Sequence, residues 1–81
     1  YHLIELGENI AQKHGIPFTI FHKIIEETHK NAIEIGARNS QTGPAKRKDN
    51  KTINKHLDLL SDEGIKKIYL DLTDSIKNRH E

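Results

Sequence analysis

Apolar residues recur at helical spacing along this chain, and that spacing limits the fold more than any other feature. The longest periodic segment contains Phe18, Phe21, Ile25, Thr28, Ala32 and Ile35. These residues follow one another three or four positions apart, which is the period of one face of an α-helix. No segment of any length alternates apolar and polar residues as a half-buried strand does. The sequence therefore predicts an all-α fold.

The first two predicted helices end at glycines. The first helix carries the stripe Leu3, Leu6 and Ile10. It is predicted to end at Gly15, which adopts the left-handed backbone of a helix C-terminus, and Pro17 prevents continuation. The second helix is predicted over residues 18–35 and closes at Gly36. Both helices should bury one apolar face.

A long loop is predicted between the second and third helices. Residues 37–48 show no helical period and contain turn-forming residues, among them Gly43 and Pro44. Asp49 can then cap a third helix, whose apolar stripe is Ile53, Leu57 and Leu60. A fourth stripe runs from Ile65 to Ile76 after a short turn around Gly64. The prediction is a small bundle of about four helices, with a loop of the kind that often carries function.

The length of 81 residues allows one small domain, and we expect residues 1–81 to form a single helical domain. The chain begins at Tyr1 inside an apolar-periodic stretch with no residue to cap it. We therefore expect it to be part of a longer polypeptide. Hydrophobic residues make up only 33%, so the core should be thin, and pairing into a homodimer would cover the remaining apolar stripes.

Composition excludes several classes of function. A net charge of +1 disfavours a general nucleic-acid binder, which usually carries a strongly basic surface. The absence of cysteine excludes disulfides, thiolate metal sites and a cysteine nucleophile. No apolar run approaches the roughly 20 residues of a membrane-spanning helix. We expect a cytoplasmic protein with no membrane or nucleic-acid partner.

The predicted loop holds two candidate features. Lys46, Arg47 and Lys48, with Arg38 upstream, lie just before a predicted helix N-terminus, a position that favours anions such as phosphate. A solvated run of charges is the alternative interpretation. The segment 42–44, Thr-Gly-Pro, either lets a ligand approach the backbone or serves as a tight connector.

Histidines supply the remaining candidates. His22, Glu26 and His29 share one helix face at the spacing of metal ligands. They lie on a flank facing solvent with no evident fourth ligand, so no metal site is predicted. His56, beside Leu57, can titrate near neutral pH and is a weak candidate for proton transfer. The alternative is that His56 caps the edge of the core.

Four sequence blocks together resemble one known domain. They are Gly15-Ile16-Pro17-Phe18, Glu27-Thr28 with Asn31-Ala32, residues 41–49 (Gln-Thr-Gly-Pro-Ala-Lys-Arg-Lys-Asp), and residues 52–57 (Thr-Ile-Asn-Lys-His-Leu). In this order they resemble the C-terminal domain of unknown function that follows a Rossmann-like domain in NAD(P)-dependent oxidoreductases. That domain is similar to the helical domain of 6-phosphogluconate dehydrogenase-like proteins, which pairs with a second subunit and closes over the nicotinamide cleft.

The resemblance implies a set of site residues facing an interdomain cleft. Cofactor-binding positions would be Thr42, Gly43, Pro44 and Arg47, and positions lining the cleft would be Thr28, Asn31 and Asp49. It also implies NAD or NADP as the cofactor of the full-length protein. One departure is visible, because the family usually has Arg-Gly-Asp where this chain has Arg47-Lys48-Asp49.

The chain lacks the glycine-rich Gly-x-Gly-x-x-Gly turn of a dinucleotide site. We therefore expect the fragment alone to bind no cofactor and to be inactive. The favoured function is the helical substrate and dimerisation domain of an NAD(P)-dependent oxidoreductase. The alternative is a helical protein-interaction module with no catalytic role.

Overall fold

The computed structural model describes residues 1–81 and consists of helices and short connections. Four helices have ten or more residues, namely α1 (His2–Lys13), α2 (His22–Asn31), α5 (Asn50–Leu59) and α6 (Glu63–Arg79). Two single-turn helices lie between them, α3 (Ala37–Ser40) and α4 (Pro44–Arg47). The predicted all-α class with four main helices is confirmed. No helix has both the length and the apolar character needed to cross a bilayer.

The chain forms two compact units, Tyr1–Ser40 and Gln41–Glu81, which we call unit 1 and unit 2. Few side chains are buried in either unit. The buried apolar residues are Ala11 in unit 1 and Ala45 and Ile53 in unit 2, and Thr73 is buried as well. Ile53 is the only large apolar side chain among them, so the thin core predicted from composition is confirmed.

In unit 1, α1 ends as the sequence predicts. Gly15 has φ +66°, the left-handed conformation that glycine adopts without steric cost. Its N–H donates to the carbonyl of Gln12 at 3.1 Å, and the N–H of Ile16 donates to the carbonyl of Ala11 at 2.9 Å. These two bonds form a Schellman motif, which satisfies carbonyls that the last helical turn leaves free.

The second predicted helix is interrupted rather than regular. A 3-10 turn, Phe18–Phe21, precedes α2, and a π-helical turn, Ala32–Gly36, separates α2 from α3. Gly36 has φ +99°, so the α-helical geometry breaks there, but the chain re-enters helix at once. The Ser40 hydroxyl lies 2.8 Å from the carbonyl oxygen of Gly36 and 3.1 Å from that of Asn31. Donation to either oxygen compensates for the interrupted helical ladder.

Unit 2 contains α4, α5 and α6, and helix caps decide its element boundaries. The predicted loop over residues 37–48 is wrong in part, because α3 and α4 occupy eight of its positions. Pro44 is the first helical residue of α4, a position where its missing N–H costs nothing.

The predicted turn around Gly64 is also wrong. Asp62 accepts a hydrogen bond from the Ile65 N–H at 3.0 Å, so α6 begins at Glu63 and Gly64 lies in its first turn.

Candidate functional site

The candidate cofactor-binding residues lie on the turn that leads into α4. Gly43 has φ +98° and ψ 174°, a conformation that residues with a β-carbon rarely adopt. A β-carbon at Gly43 would have no neighbouring atom within 4 Å, so backbone geometry, rather than crowding, favours glycine. Thr42 beside it is exposed, and its carbonyl accepts a hydrogen bond from Gln41 Nε2 at 2.9 Å. The space beside the α-carbon of Gly43 is therefore open.

A second turn follows α4 and carries the basic residues. Lys48 has φ +57° and ψ 38°, and it is the only residue other than glycine with a positive φ. Its N–H donates to the carbonyl of Ala45 at 3.2 Å, and the Asp49 N–H donates to that of Pro44 at 2.9 Å. The sharp reversal leaves Lys46, Arg47 and Lys48 exposed.

The N-terminus of α5 is capped by the chain itself. Asp49 Oδ1 accepts a hydrogen bond from the Thr52 N–H at 3.1 Å, and Oδ2 accepts one from the Thr52 hydroxyl at 2.7 Å. These hydrogen bonds, the hydroxyl one first, lower the pKa of Asp49, with a smaller contribution from the charge of Arg47. An anion arriving here would compete with this carboxylate for the N–H groups of α5. The exposed basic side chains are therefore the groups available to hold it.

Arg47 lies next to this cap but forms only a long ion pair with it. Its Nη2 is 3.9 Å from Oδ2 of Asp49, and 60% of its side chain is exposed. An exposed ion pair at this distance contributes little to stability. The guanidinium therefore remains available for a phosphate or carboxylate, which it can bind through two parallel N–H groups.

His56 forms a contact that the sequence analysis did not identify. His56 Nδ1 lies 2.7 Å from the hydroxyl oxygen of Tyr69 on α6. The two rings meet edge to face, with centroids 5.7 Å apart and planes at 83°. Burial raises the pKa of Tyr69, so its hydroxyl stays protonated at neutral pH. In the sequence, Tyr69 lies beside the apolar stripe that runs from Ile65 to Ile76. That position indicates packing against the core, and it does not indicate a hydrogen bond to His56.

Thr28 and Asn31 lie in unit 1, whereas the other candidate residues lie in unit 2. The Thr28 hydroxyl donates to the carbonyl of Ile24 at 2.8 Å, and its side chain is exposed rather than part of a buried stripe. The Asn31 carbonyl lies within hydrogen-bond distance of Ser40. Both side chains remain predicted cleft residues.

No set of three or more His, Cys, Asp or Glu side chains is placed to hold a metal ion. His22, Glu26 and His29, which share one helix face in the sequence, form no such set. The His22 ring instead contacts Phe18 edge to face, with centroids 5.9 Å apart. This arrangement is typical of aromatic packing.

Unit 1 also carries an open apolar groove, about 410 Å³ in volume, between α1 and the segment that follows it. Its walls include Leu3, Ile10, Phe18, Phe21 and Ile24. The sequence predicted the stripes that contain Leu3, Ile10, Phe18 and Phe21, but not the groove that they line together with Ile24. Such a groove suits an apolar partner better than a charged small molecule.

Comparison with known families identifies the domain. A family described as a domain of unknown function, DUF2520, matches residues 1–76. The chain belongs to the DUF2520 family. The resemblance to a C-terminal domain of unknown function, predicted from the sequence blocks, is thereby confirmed. No curated protein matches the DUF2520 chain.

One solved structure is similar to this DUF2520 domain over almost all of its length. It is the crystal structure of a protein from Bacteroides fragilis described as a putative NADP oxidoreductase. The two share 32% sequence identity with a TM-score of 0.89, and the match covers 95% of this chain. The chain spans 30% of the length of that protein.

The backbone at Lys48 bears on the Arg-Gly-Asp pattern that the resemblance implies at residues 47–49. The left-handed φ of Lys48 is the conformation in which glycine is favoured over other residues. The turn before α5 therefore has the geometry that a glycine at this position would adopt without strain. The departure changes the energy of the turn and adds an exposed positive charge.

Proposed function

We propose that this DUF2520 chain is the helical C-terminal part of an NADP-dependent oxidoreductase. The structural match to the Bacteroides fragilis protein supports the proposal most strongly, because its description names NADP and the match covers 95% of this chain. Since the chain spans only 30% of that protein, the full-length protein would carry a further domain.

The residues of this chain fit NADP as partial contacts rather than as a complete site. A Rossmann-type site requires a strand, a glycine-rich turn and a helix N-terminus, and the structure of this chain has no strand. The exposed guanidinium of Arg47 and the neighbouring ammonium groups suit phosphate oxygens. The open backbone at Gly43 allows close approach. When bound, NADP supplies or accepts a hydride.

Each residue of the turn has a role in the proposal. Thr42 and the backbone of Gly43 contact the ligand, and Arg47 holds an anionic group of the cofactor or substrate. Pro44 fixes the start of α4, which sets the position of Arg47 one turn later. Asp49 keeps the α5 N-terminus capped and lies on one side of Arg47.

Replacing Arg47 tests this assignment in the full-length protein. We expect Arg47→Ala to weaken NADPH binding about 10- to 150-fold, because a charge-assisted hydrogen bond contributes about 1.5–3 kcal/mol. Lys67→Ala is the matched control, since Lys67 is an exposed cation paired with Asp71 at 2.8 Å on α6. Isothermal titration with NADPH measures both variants. An affinity unchanged by Arg47→Ala would remove Arg47 from the site.

A second copy of the chain is the proposed partner of unit 1. Seven large aliphatic side chains of unit 1 are 40–71% exposed, and they are Leu3, Ile4, Ile16, Ile20, Ile24, Ile33 and Ile35. Their exposed fractions amount to about four fully exposed side chains per copy and about eight in a dimer, so covering all of them would contribute about 12–24 kcal/mol. The cost of association is about 4–15 kcal/mol. The exposed apolar surface therefore supports the proposal of a dimer.

Ile24 offers a direct test of dimerisation, because it lines the groove and is 61% exposed. We expect Ile24→Asp to convert the full-length protein to monomers in light scattering at micromolar concentration. Leu59→Asp is the control, since Leu59 is 77% exposed in unit 2. A wild-type protein that is monomeric at high concentration would contradict the dimer. A dimer that binds no NADPH would instead favour a non-catalytic interaction module, to which the apolar groove also points.

A further inference from the structure

Tyr69 and His56 join two helices of unit 2 through one short hydrogen bond. The distance from His56 Nδ1 to the Tyr69 hydroxyl oxygen is 2.7 Å, within the normal range for a strong bond of this type. Both residues are half-buried. The edge-to-face packing of the two rings restrains their rotation. It therefore fixes the position of Nδ1 relative to the hydroxyl oxygen.

The direction of this hydrogen bond decides which ring nitrogen of His56 carries the proton. A neutral imidazole has one N–H donor and one acceptor nitrogen. The Tyr69 hydroxyl makes no other hydrogen bond, and a half-buried O–H requires an acceptor. Donation from Tyr69 to Nδ1 satisfies it and leaves the proton of His56 on Nε2.

Nε2 of His56 reaches the surface of unit 2. It makes no hydrogen bond within the chain, and no buried side-chain nitrogen or oxygen is left without a partner. An unpartnered Nε2 must therefore be accessible to solvent. The ring thus has one nitrogen held by Tyr69 and one available to a ligand.

His56 also lies on the same side of α5 as the cap that neighbours Arg47. Asp49, Thr52 and His56 are spaced i, i+3 and i+7, which places them along one helix face. Seven residues of α-helix span about 10 Å. A ligand of that length could place an anionic group at Arg47 and an oxygen atom at His56.

We propose that Tyr69 is a positioning residue that holds His56 in the Nε2–H tautomer, so that His56 offers a ring N–H to a carbonyl or carboxylate oxygen of a bound ligand. This inference rests on the proposed function for the presence of the ligand, but not for the tautomer. A neutral N–H donor binds or polarises such an oxygen without adding a charge to the site. The role of Tyr69 follows from the hydrogen bond between the two side chains, which is the only side-chain hydrogen bond that either of them makes.

The test uses the full-length protein with 15N-labelled histidine. Nitrogen chemical shifts distinguish the two neutral tautomers, and His56→Gln identifies the His56 signals. We expect wild-type His56 to carry its proton on Nε2 and Tyr69→Phe to give a mixture of both tautomers. We also expect Tyr69→Phe to weaken NADPH binding about threefold to tenfold. Lys67→Ala on the same helix is the control, because the Lys67 side chain is exposed and its replacement should change neither readout.

Two results would overturn the inference. One is a wild-type His56 protonated on Nδ1, and the other is an unchanged tautomer in Tyr69→Phe. A purely structural Tyr69 would lower the melting temperature when replaced and leave the tautomer as it was. If the wild-type protein binds no NADPH, the proposed function fails, and the nitrogen shifts alone then decide the role of Tyr69.

Discussion

Lys48→Gly should stabilise the turn between α4 and α5. Lys48 has φ +57° and ψ 38°, and a left-handed conformation costs a residue with a β-carbon roughly 1–2 kcal/mol. Glycine removes that strain but loses about 0.5–1 kcal/mol through the greater freedom of the unfolded chain. The Lys48 side chain is exposed and makes no hydrogen bond or ion pair. The expected net gain in free energy of unfolding is therefore about 0.75 kcal/mol, within a range of about 0–1.5 kcal/mol.

Lys46→Gly is the control: it is the same lysine-to-glycine substitution, but it should lower the free energy of unfolding rather than raise it. Lys46 lies within α4, where glycine is about 1 kcal/mol less favourable than a good helix former. Both variants remove one exposed positive charge two residues apart, so long-range electrostatics change equally. The two substitutions differ mainly in backbone conformation.

Urea unfolding and amide hydrogen exchange of the full-length protein measure the effect. Exchange should slow at the amides of Lys48, Asp49 and Asn50, which form the turn hydrogen bonds, because exchange there follows local opening. In a cooperative unit formed by the 81 residues of this chain, a gain of about 0.75 kcal/mol corresponds to about 3–6 °C in melting temperature. Destabilisation by Lys48→Gly, or equal effects of both variants, would refute the argument from backbone strain.

Two further predictions concern side chains that hydrogen-bond to the backbone near helix ends. Asp49 has a lowered pKa through its hydrogen bonds from Thr52, so the stability it provides is present above its unfolded pKa of about 3.9 and is lost as pH falls through the lower folded value. Urea midpoints of wild type and Asp49→Asn should therefore differ at pH 7 and converge at acid pH, and a constant difference would contradict the cap. Ser40→Ala should cost about 0.5–1.5 kcal/mol and speed amide exchange in α3, whereas unchanged exchange would show that the Ser40 hydroxyl does not support the π turn.

Helix ends that depend on one local signal could be predicted from the sequence. Gly15 is needed where the chain reverses into left-handed backbone, and Asp49 precedes a helix whose first free N–H groups it can reach. Both effects act within a few residues and are therefore visible in the sequence. The helical period of the apolar residues similarly predicted α1, α2, α5 and α6.

Elements that depend on competing local signals could not be predicted in the same way. Gly36 indicated a helix end, but Ser40 four residues later supplies a hydroxyl to its carbonyl, and the chain stays helical through α3. Gly64 indicated a turn, but the Asp62 cap starts α6 one residue earlier. Pro44 was counted among loop residues although it also favours the first position of a helix.

Within the candidate site, the sequence indicated only those contacts that join residues close together in the chain. Arg47 and Asp49 are close in sequence and lie beside each other, 3.9 Å apart at their charged atoms. The contact between His56 and Tyr69 joins residues thirteen positions apart on different helices. Its formation depends on how α5 and α6 pack, which no spacing rule in the sequence specifies.

The affinity of the full-length wild-type protein for NADPH, compared with that for NADH, tests the proposed function most directly. Isothermal titration at neutral pH and moderate salt supplies both dissociation constants. We predict that NADPH binds in the range of roughly 1 μM–1 mM that is common for enzyme ligands, and more tightly than NADH. The absence of NADPH binding at millimolar concentration would contradict the assignment of this chain to an NADP-dependent oxidoreductase.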